Sequence, residues 1–417
     1  MTEKLSSQIE KYLPPPVLAL IKIAGKDADA LGQDLYIVGG VVRDLFLDRA
    51  NFDFDLVVEG DAIGLAQKLA KDSQAKLTVH PRFGTAKLNY PGFSLDLATA
   101  RSETYSKPGA LPTVQPGSLK DDLIRRDFSI NAMAMHLNPK HFGELIDLYN
   151  GKDDLKHRLI RVLHPKSFID DATRILRTIR YEQRLCFKLE AETEKLLRSN
   201  VAMLDTISSD RIRHELELIL EEDEPERAIR RADELGVLKR LHPSLKGNGW
   251  LSKIFIKARQ AAMRTSLSTL YLCLLIYNLT EKENEEFISR LNFPKNSSQA
   301  MRQTLQLKAQ VHNLANPKLK PSDIHQLLRG YSTSAIQTNS LATESSTVNQ
   351  HLQLYLTKSR YLKPLLKGDD LKKIGVPAGP KVGEVLDMLH RARLNGEVRT
   401  QKEEESLVHS WLQKQSS

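Results

Sequence analysis

The chain has 417 residues, 41% of them hydrophobic and 27% charged, with a formal net charge of +9 at pH 7. That length exceeds one ordinary core and predicts two to four domains, while the composition excludes a disordered chain and no apolar run reaches membrane-spanning length. The basic balance points to a polyanionic partner; Cys186 and Cys273 offer neither a disulfide framework nor a zinc spacing and read as buried free thiols; and the N-terminus lacks an apolar leader, so the expected compartment is the cytoplasm.

Residues 1–30 read as a helix interrupted at Pro14-Pro15-Pro16, then a second helix. Residues 35–58, LYIVGGVVRDLFLDRANFDFDLVV, read as a strand (Leu35–Val38), a Gly39-Gly40 turn, a short helix (Val42–Leu47) and a second strand (Phe52–Val58). A strand has period two, so Asp53 and Asp55 share one face and Phe52, Phe54 and Leu56 the other. Neighbouring carboxylates repel unless a cation joins them, and a few hard oxygen ligands suit Mg²⁺ that also binds a substrate phosphate. The glycine turn with Gly40 opens a helix whose first N–H groups attract anions, and Arg43 adds a fork of donors. Alone, each feature is an ordinary turn or a solvated strand end. Together they suggest nucleotidyl transfer.

A helix is expected over 61–71, then strands over 77–79, 85–88 and 93–98, the last bringing Asp96 beside the Asp53/Asp55 strand as a third acid that can help with a metal or deprotonate a hydroxyl. Residues 101–118 read as a loop that Pro108, Pro112 and Pro116 keep irregular, in the position of a lid. In LKDDLIRRDFSINAMAM (119–135), Arg126 is a candidate phosphate ligand and Asn131 a group for a sugar hydroxyl or for holding the loop. Residues 142–163 read as a strand, a turn at Gly151, a short helix and another strand, and the rest of the chain reads as helical.

In FIDDATRILRTIRYEQRLCF (168–187), Asp171, Arg174, Arg177 and Arg180 recur every three residues on one expected helix face, opposite Ile175, Leu176, Ile179 and Leu185. A salt-bridged surface helix would look the same. The sharper reading is base recognition: Asp171 accepts from the exocyclic amine of cytosine or adenine, and Arg174 donates to the adjacent ring nitrogen. Uracil and guanine present the reverse pattern and leave these groups unpaired. Arg177 and Arg180 would support the pair or reach the triphosphate.

Further on, Arg211 and Glu215 read as a structural brace. Residues 332–349, rich in Ser, Thr and Asn, read as a linker or a weak polar helix. Lys372, Lys373 and Lys381 flank a Gly/Pro turn opening a helix, a place for RNA backbone or an ordinary solvated hairpin.

The stretches GGVVRD (39–44), DFD (53–55), RRDFSINAMA (125–134), DLYNGKDDL (147–155), DDATRILRTIRYEQRL (170–185) and DRIRHELELIL (210–220) together resemble the successive motifs of the class II, bacterial-type tRNA nucleotidyltransferase and poly(A) polymerase family. The resemblance implies an α+β fold: a polymerase-β-like head with a small mixed sheet over residues 1–150, followed by all-helical neck (151–222), body (223–320) and tail (321–417). It implies Mg²⁺ on Asp53 and Asp55, the triphosphate at Gly40 and Arg43, and the incoming nucleotide at Arg126, Asp171, Arg174, Arg177 and Arg180. The implied activity adds C and/or A of the terminal CCA to a tRNA 3′ end from CTP and ATP, releasing pyrophosphate, without a nucleic-acid template. Body and tail would grip the tRNA, which favours the RNA reading of the three lysines. A poly(A) polymerase or a CC-only or A-only member would carry the same motifs; a non-enzymatic RNA-binding relative would have lost the acids. One departure is Asp170, where the family usually has Glu. In relatives the 101–118 loop helps the switch from CTP to ATP, so its Pro-rich character leaves a partial activity open. Oligomeric state is not legible.

Overall fold

The computed structural model describes residues 5–49, 53–73, 75–261 and 266–416, without the side chains of Asp53, Asp72 and Ser416. The chain divides into two compact units, Met1–Ile219 with Glu234–Arg240, and Leu220–Asp233 with Leu241–Ser417. Among the described residues no helix is long and apolar enough to cross a membrane.

The first unit opens with helices α1 (Ser6–Tyr12) and α2 (Pro15–Ala30), separated at the expected prolines. It then runs β1 (Asp34–Val38), α3 (Gly40–Phe46), β2 (Asp53–Glu59), α4 (Ala62–Ser73), β3 (Lys76–His80), β4 (Thr85–Tyr90) and β5 (Phe93–Thr99). Phe52 of the expected second strand lies outside the described residues. Next come β6 (Arg101–Thr104), β7 (Thr113–Pro116), α5 (Leu119–Ile124), β8 (Met133–His136), β9 (Leu145–Asp147), α6 (Gly151–His157) and β10 (Leu159–Ile160). The unit continues with α7 (Ser167–Asp170), α8 (Thr173–Leu185), β11 (Lys188–Leu189), α9 (Ala191–Asn200) and α10 (Ser209–Leu220).

A mixed seven-stranded sheet has the order β3-β4-β5-β2-β1-β8-β9. β2 and β5 run parallel in the register Asp55↔Asp96, and the neighbours β1 and β4 run antiparallel. Phe54, Leu56, Leu95 and Leu97 are at most 1% exposed on one face, so the alternation read from sequence holds. On the other face Val57 packs with Leu119 and Leu123 of α5. That contact fixes the site, because the C-terminus of α5 carries Arg125 and Arg126 onto the face that holds Asp55.

Residues 101–118 are only partly irregular: β6 pairs with β7 from Arg101↔Pro116 to Thr104↔Thr113, framing the loop 105–112 that holds Pro108 and Pro112. Proline is tolerated at the ends of a two-stranded edge, where its missing N–H removes no ladder bond. The helix expected over 168–187 is broken at Asp171, which adopts an extended backbone (φ −140°, ψ 100°) between α7 and α8. Its carboxylate accepts the backbone N–H of Thr173 at 2.9 Å, a local bond that competes with helix continuation. Of the cysteines, Cys273 is buried but Cys186 is exposed, because it ends α8 in a left-handed conformation (φ 56°) that turns it outward.

The remaining helices are α11 (Pro225–Glu234), α12 (Val237–Leu241), α13 (Gly249–Gln260), α14 (Leu267–Leu275), α15 (Glu281–Leu291), α16 (Lys295–Gln310), α17 (Pro321–Leu328), α18 (Thr333–Ala342), α19 (Ser346–Thr357), α20 (Gly368–Ile374), α21 (Pro380–Leu394) and α22 (Gln401–Ser416). Of the two readings offered for residues 332–349, linker or polar helix, the helix holds, but it is buried. Residues 333–342 form α18, with Thr338 and Asn339 fully buried and Ile336 in a cluster with Leu307, Leu328 and Leu352. A second cluster, Leu371, Val385, Leu389 and Val408, joins α20, α21 and α22.

Candidate functional site

A cavity of about 700 Å³ in the first unit is lined by Gly39, Gly40, Arg43, Asp44, Asp55, Glu103, Tyr105, Arg125, Arg126, Asp127, Asn131, Asp171, Arg174, Arg177, Tyr181, Arg184 and Arg211, with Ala110 and Pro112 of the hairpin. Seven arginines face five acids there, a wall suited to a polyanion.

Each side chain is delivered by a local feature. Gly39 turns β1 into α3 with φ 75°, so the backbone requires glycine, and a Cβ built there would meet Arg126 Nη1 at 2.9 Å and displace that guanidinium. Arg43 donates to both oxygens of Asp44, at 2.8 and 2.9 Å, and to Asn131 Oδ1 at 2.7 Å. Burial works against its charge, but Asp44 outweighs it and the guanidinium is held more firmly protonated than usual. Asn131 in turn donates to Asp127 Oδ1 at 3.0 Å. Asp127 is buried, which would push its carboxyl up; Arg177 and the Asn131 bond prevail and hold it below the usual carboxylate range. Asp122, 0% exposed, holds Arg125 and Arg126. A carboxylate so buried is tolerable only with cations on it, and here it fixes two guanidinium groups at the cavity wall.

The far wall is α8 with the corner before it. Arg174, 4% exposed, donates to Ser167 Oγ at 2.7 Å and to the Arg125 carbonyl at 2.6 Å. Asp171 Oδ1 accepts from Arg211 at 2.8 Å. The Tyr181 ring has the Arg43, Arg177 and Arg180 guanidinium groups 5.5, 5.6 and 5.3 Å from its centroid, a cation–π arrangement that ties the glycine-turn side to the α8 side. On the hairpin, Glu103 accepts from Arg101, Arg125 and the Tyr105 hydroxyl. Burial and the Glu103 bond raise the Tyr105 phenol above its ordinary value.

Of the residues singled out in the sequence, Asp55, Gly40, Arg43, Arg126, Asn131, Asp171, Arg174 and Arg177 line this one cavity. Asp53 begins β2, opposite Ser94, and its side chain lies outside the described residues. Asp96 is in register with Asp55, but its carboxylate binds Lys87 Nζ at 2.7 Å and is not on the cavity wall. Arg180 is also not on the wall. It lies one turn along α8 from Arg177 and is buried against Glu215 Oε2 at 3.1 Å. Arg211, read as a structural brace, lines the cavity instead, whereas Glu215 does brace, reaching Arg177 as well as Arg180. Lys372, Lys373 and Lys381 sit exposed on α20 and α21 of the second unit. Sequence reading missed Glu103, Tyr105 and Tyr181, and gave Asp44, Arg125, Asp127 and Arg184 no role in the site. The period-two spacing of Arg101, Glu103 and Tyr105 was the available signal for the first two.

Among the described residues no cluster of three or more His, Cys, Asp or Glu is placed to hold a metal. Mg²⁺ does not need one. It keeps most of its waters and takes one or two carboxylates plus substrate phosphates, a donor set that Asp55, position 53 two residues earlier and a phosphate held by the cavity's arginines can offer.

Three sequence-family models match the chain in succession: the Poly A polymerase head domain over residues 35–161, the RNA and SrmB-binding site of polymerase A over 186–247, and tRNA nucleotidyltransferase domain 2 over 262–408. The A-adding tRNA nucleotidyltransferase of Geobacter sulfurreducens is 37% identical over 95% of this chain and 47% of its own length. The A-adding tRNA nucleotidyltransferase of Halalkalibacterium halodurans is 32% identical over 93% of this chain and 90% of its own. The Thermotoga maritima CCA-adding enzyme complexed with tRNA superposes with a TM-score of 0.79 at 32% identity, covering 99% of both chains. The chain spans about half the length of the first two curated relatives it matches.

Proposed function

The chain belongs to the bacterial-type tRNA nucleotidyltransferase and poly(A) polymerase family, and from that premise we propose that it adds A, or C and A, to the 3′ end of tRNA from ATP and CTP in the cytoplasm. The observation that carries this reading is the cavity itself: one acid of the Asp53/Asp55 pair, the glycine turn, the arginines and the Asp171/Arg174 pair line a single cavity. Arg43 and Arg126, both held by carboxylates, bind and orient the triphosphate. Asp171 and Arg174 accept from and donate to the amine-bearing edge of adenine or cytosine. Asp53 and Asp55 would hold Mg²⁺, which would supply positive charge at the phosphoryl group and the leaving pyrophosphate. Asp96 can take the proton of the attacking hydroxyl only on release from Lys87. Lys372, Lys373 and Lys381 contact the tRNA backbone.

Terminal A addition is the narrower reading, supported by two relatives named for that activity that match most of this chain. Purified protein with Mg²⁺ is given tRNAs ending before the first C, the second C or the A, with labelled CTP or ATP. Incorporation of A alone supports the narrower reading, and incorporation at all three ends supports the full activity. Long A tracts on any RNA end would favour a poly(A) polymerase, and no incorporation would remove the assignment.

A further inference from the structure

Asp171 is held in an asymmetric way. Its Oδ1 accepts three donors: the Thr173 backbone N–H at 2.9 Å, the Thr173 hydroxyl at 2.7 Å and Arg211 Nη2 at 2.8 Å. Among the described residues no donor is recorded on Oδ2, and Asp171 is on the cavity wall. Thr173 does not line the cavity and is 7% exposed. A carboxylate whose one oxygen is saturated cannot rotate to share its lone pairs differently without losing bonds to charged or buried donors.

We infer that Thr173 and Arg211 are positioning residues that set nucleotide selectivity by saturating Asp171 Oδ1 and leaving Oδ2 as a fixed acceptor aimed at the nucleobase. The inference rests on the base-reading role proposed above for Asp171. Asp171 and Arg174 both line the cavity, so a fixed Oδ2 and the Arg174 guanidinium offer a base an acceptor and a donor, the complement of an exocyclic amine beside a bare ring nitrogen. A carbonyl in the amine's place, as in guanine or uracil, would set oxygen against oxygen. A carboxylate free to turn would present a softer, averaged acceptor and discriminate less. The break between α7 and α8 thus serves recognition, because the same Asp171–Thr173 bonds that end the helix also lock the reader.

The test compares kcat/KM for ATP against GTP, and for CTP against UTP, on tRNA ends that the native protein extends. Thr173→Val keeps the shape but removes the hydroxyl donor; Arg211→Met removes the second side-chain donor; Thr173→Ser and Arg211→Lys are the rescues. Each of the first two should lower the selectivity ratio roughly ten- to a hundredfold, the worth of one hydrogen bond to a charged group, and Thr173→Ser should restore it. The ratio is internal to one preparation, so a partly unfolded variant leaves it interpretable. A merely structural role would reduce turnover with every nucleotide and leave the ratio unmoved. Asp171→Asn separates the two layers. If it alters selectivity while Thr173→Val and Arg211→Met do not, the positioning inference is overturned and base reading stands. If Asp171→Asn also leaves selectivity unchanged, base reading itself fails.

Discussion

Two helices in this molecule bury polar side chains, and they do so for different reasons. In α18, buried Thr338 bonds the Ser334 carbonyl at 2.8 Å, Asn339 bonds the Ala335 and Thr304 carbonyls at 2.9 and 3.0 Å, and Ser340 donates to Asn349 at 2.6 Å. These partners are neutral and come from its own turn or an adjoining helix. In α8, buried Thr178 is likewise answered by its own turn, through the Arg174 carbonyl at 2.6 Å, but the arginines are answered by groups far away in sequence: half-buried Arg177 by Asp127, buried Arg180 by Glu215, buried Arg174 by the Arg125 carbonyl. Polar burial is therefore no mark of a site. The mark is charge held at a cavity edge by distant partners, because neutral local bonds can fill a core while paired charges must be organised around something that needs them.

If that contrast is right, a charge change at the cavity should abolish chemistry without unfolding the protein. Asp55→Asn is expected to lower nucleotide incorporation by at least about 10³-fold, since several kcal/mol of charge stabilisation leave with it. Its urea midpoint and its affinity for tRNA should stay close to native. Retained turnover in single-turnover incorporation assays would detach Asp55 from the reaction. Glu215→Gln should strike both properties. It leaves the Arg177 and Arg180 guanidinium groups short of a buried counter-charge, a loss of about 3 kcal/mol in equilibrium unfolding, and it should raise KM for the nucleotide. In α18, Asn339→Leu leaves carbonyl partners unanswered and should cost about 2 kcal/mol in the same unfolding measurement, with the ATP-to-GTP selectivity ratio untouched. A change in that ratio would blur the distinction between the helices.

Acid sharpens it in another way. Asp127 has its folded value below the ordinary 3.8, set against burial by Arg177 and Asn131. A depressed carboxylate contributes its stability fully above that ordinary value and loses it as pH falls through the folded value. The native protein should therefore lose stability more steeply below pH 3.8 than Asp127→Asn does, and the gap between their unfolding free energies should narrow as pH drops. A constant gap would mean that Asp127 carries no linked proton.

How much of this was legible in the residues follows the same line. The strands around Asp53 and Asp55 could be read because one face of the sheet is apolar and period two is a local signal. The cavity's glycine, its arginines and the Asp171/Arg174 pair were legible as chemistry in sequence order. Partnership was not. Nothing local told that Asp122 would be fully buried under two arginines, that Lys87 would take Asp96, or that Glu215 would draw Arg180 off the cavity wall while Arg211 came onto it. Those outcomes depend on which strands and helices become neighbours. Residues 332–349 were left between linker and polar helix for the complementary reason: a Ser/Thr/Asn-rich segment has a linker's composition, and only its neighbours reveal carbonyls and amides that satisfy it. The hairpin at 101–116 was hidden by its prolines: Pro108 and Pro112 lie in the loop that joins the strands, and Pro116 ends a strand, where it costs nothing.

The smallest effects belong to the second unit's surface, where charges are neither buried nor networked. Lys372 and Lys373 on α20 and Lys381 on α21 are exposed, and the hydrophobic cluster under them does not involve their ammonium groups. Replacing one with Ala should leave unfolding free energy within about 0.5 kcal/mol of native. If they meet the RNA backbone, each loss should reduce the slope of log affinity against log salt by about 1 and weaken binding alike for every tRNA. The three need not be equal. Lys372 is already paired with Asp369 at 3.0 Å, so it must exchange one anion for another on binding, whereas Lys381 follows Pro380 at the first turn of a 15-residue helix, where the backbone N–H groups also favour a phosphate. Lys381→Ala should therefore cost more affinity than Lys372→Ala in a salt titration followed by filter binding. Equal losses would show that the helix start adds nothing, and a salt slope unchanged in all three would take these lysines out of the RNA path.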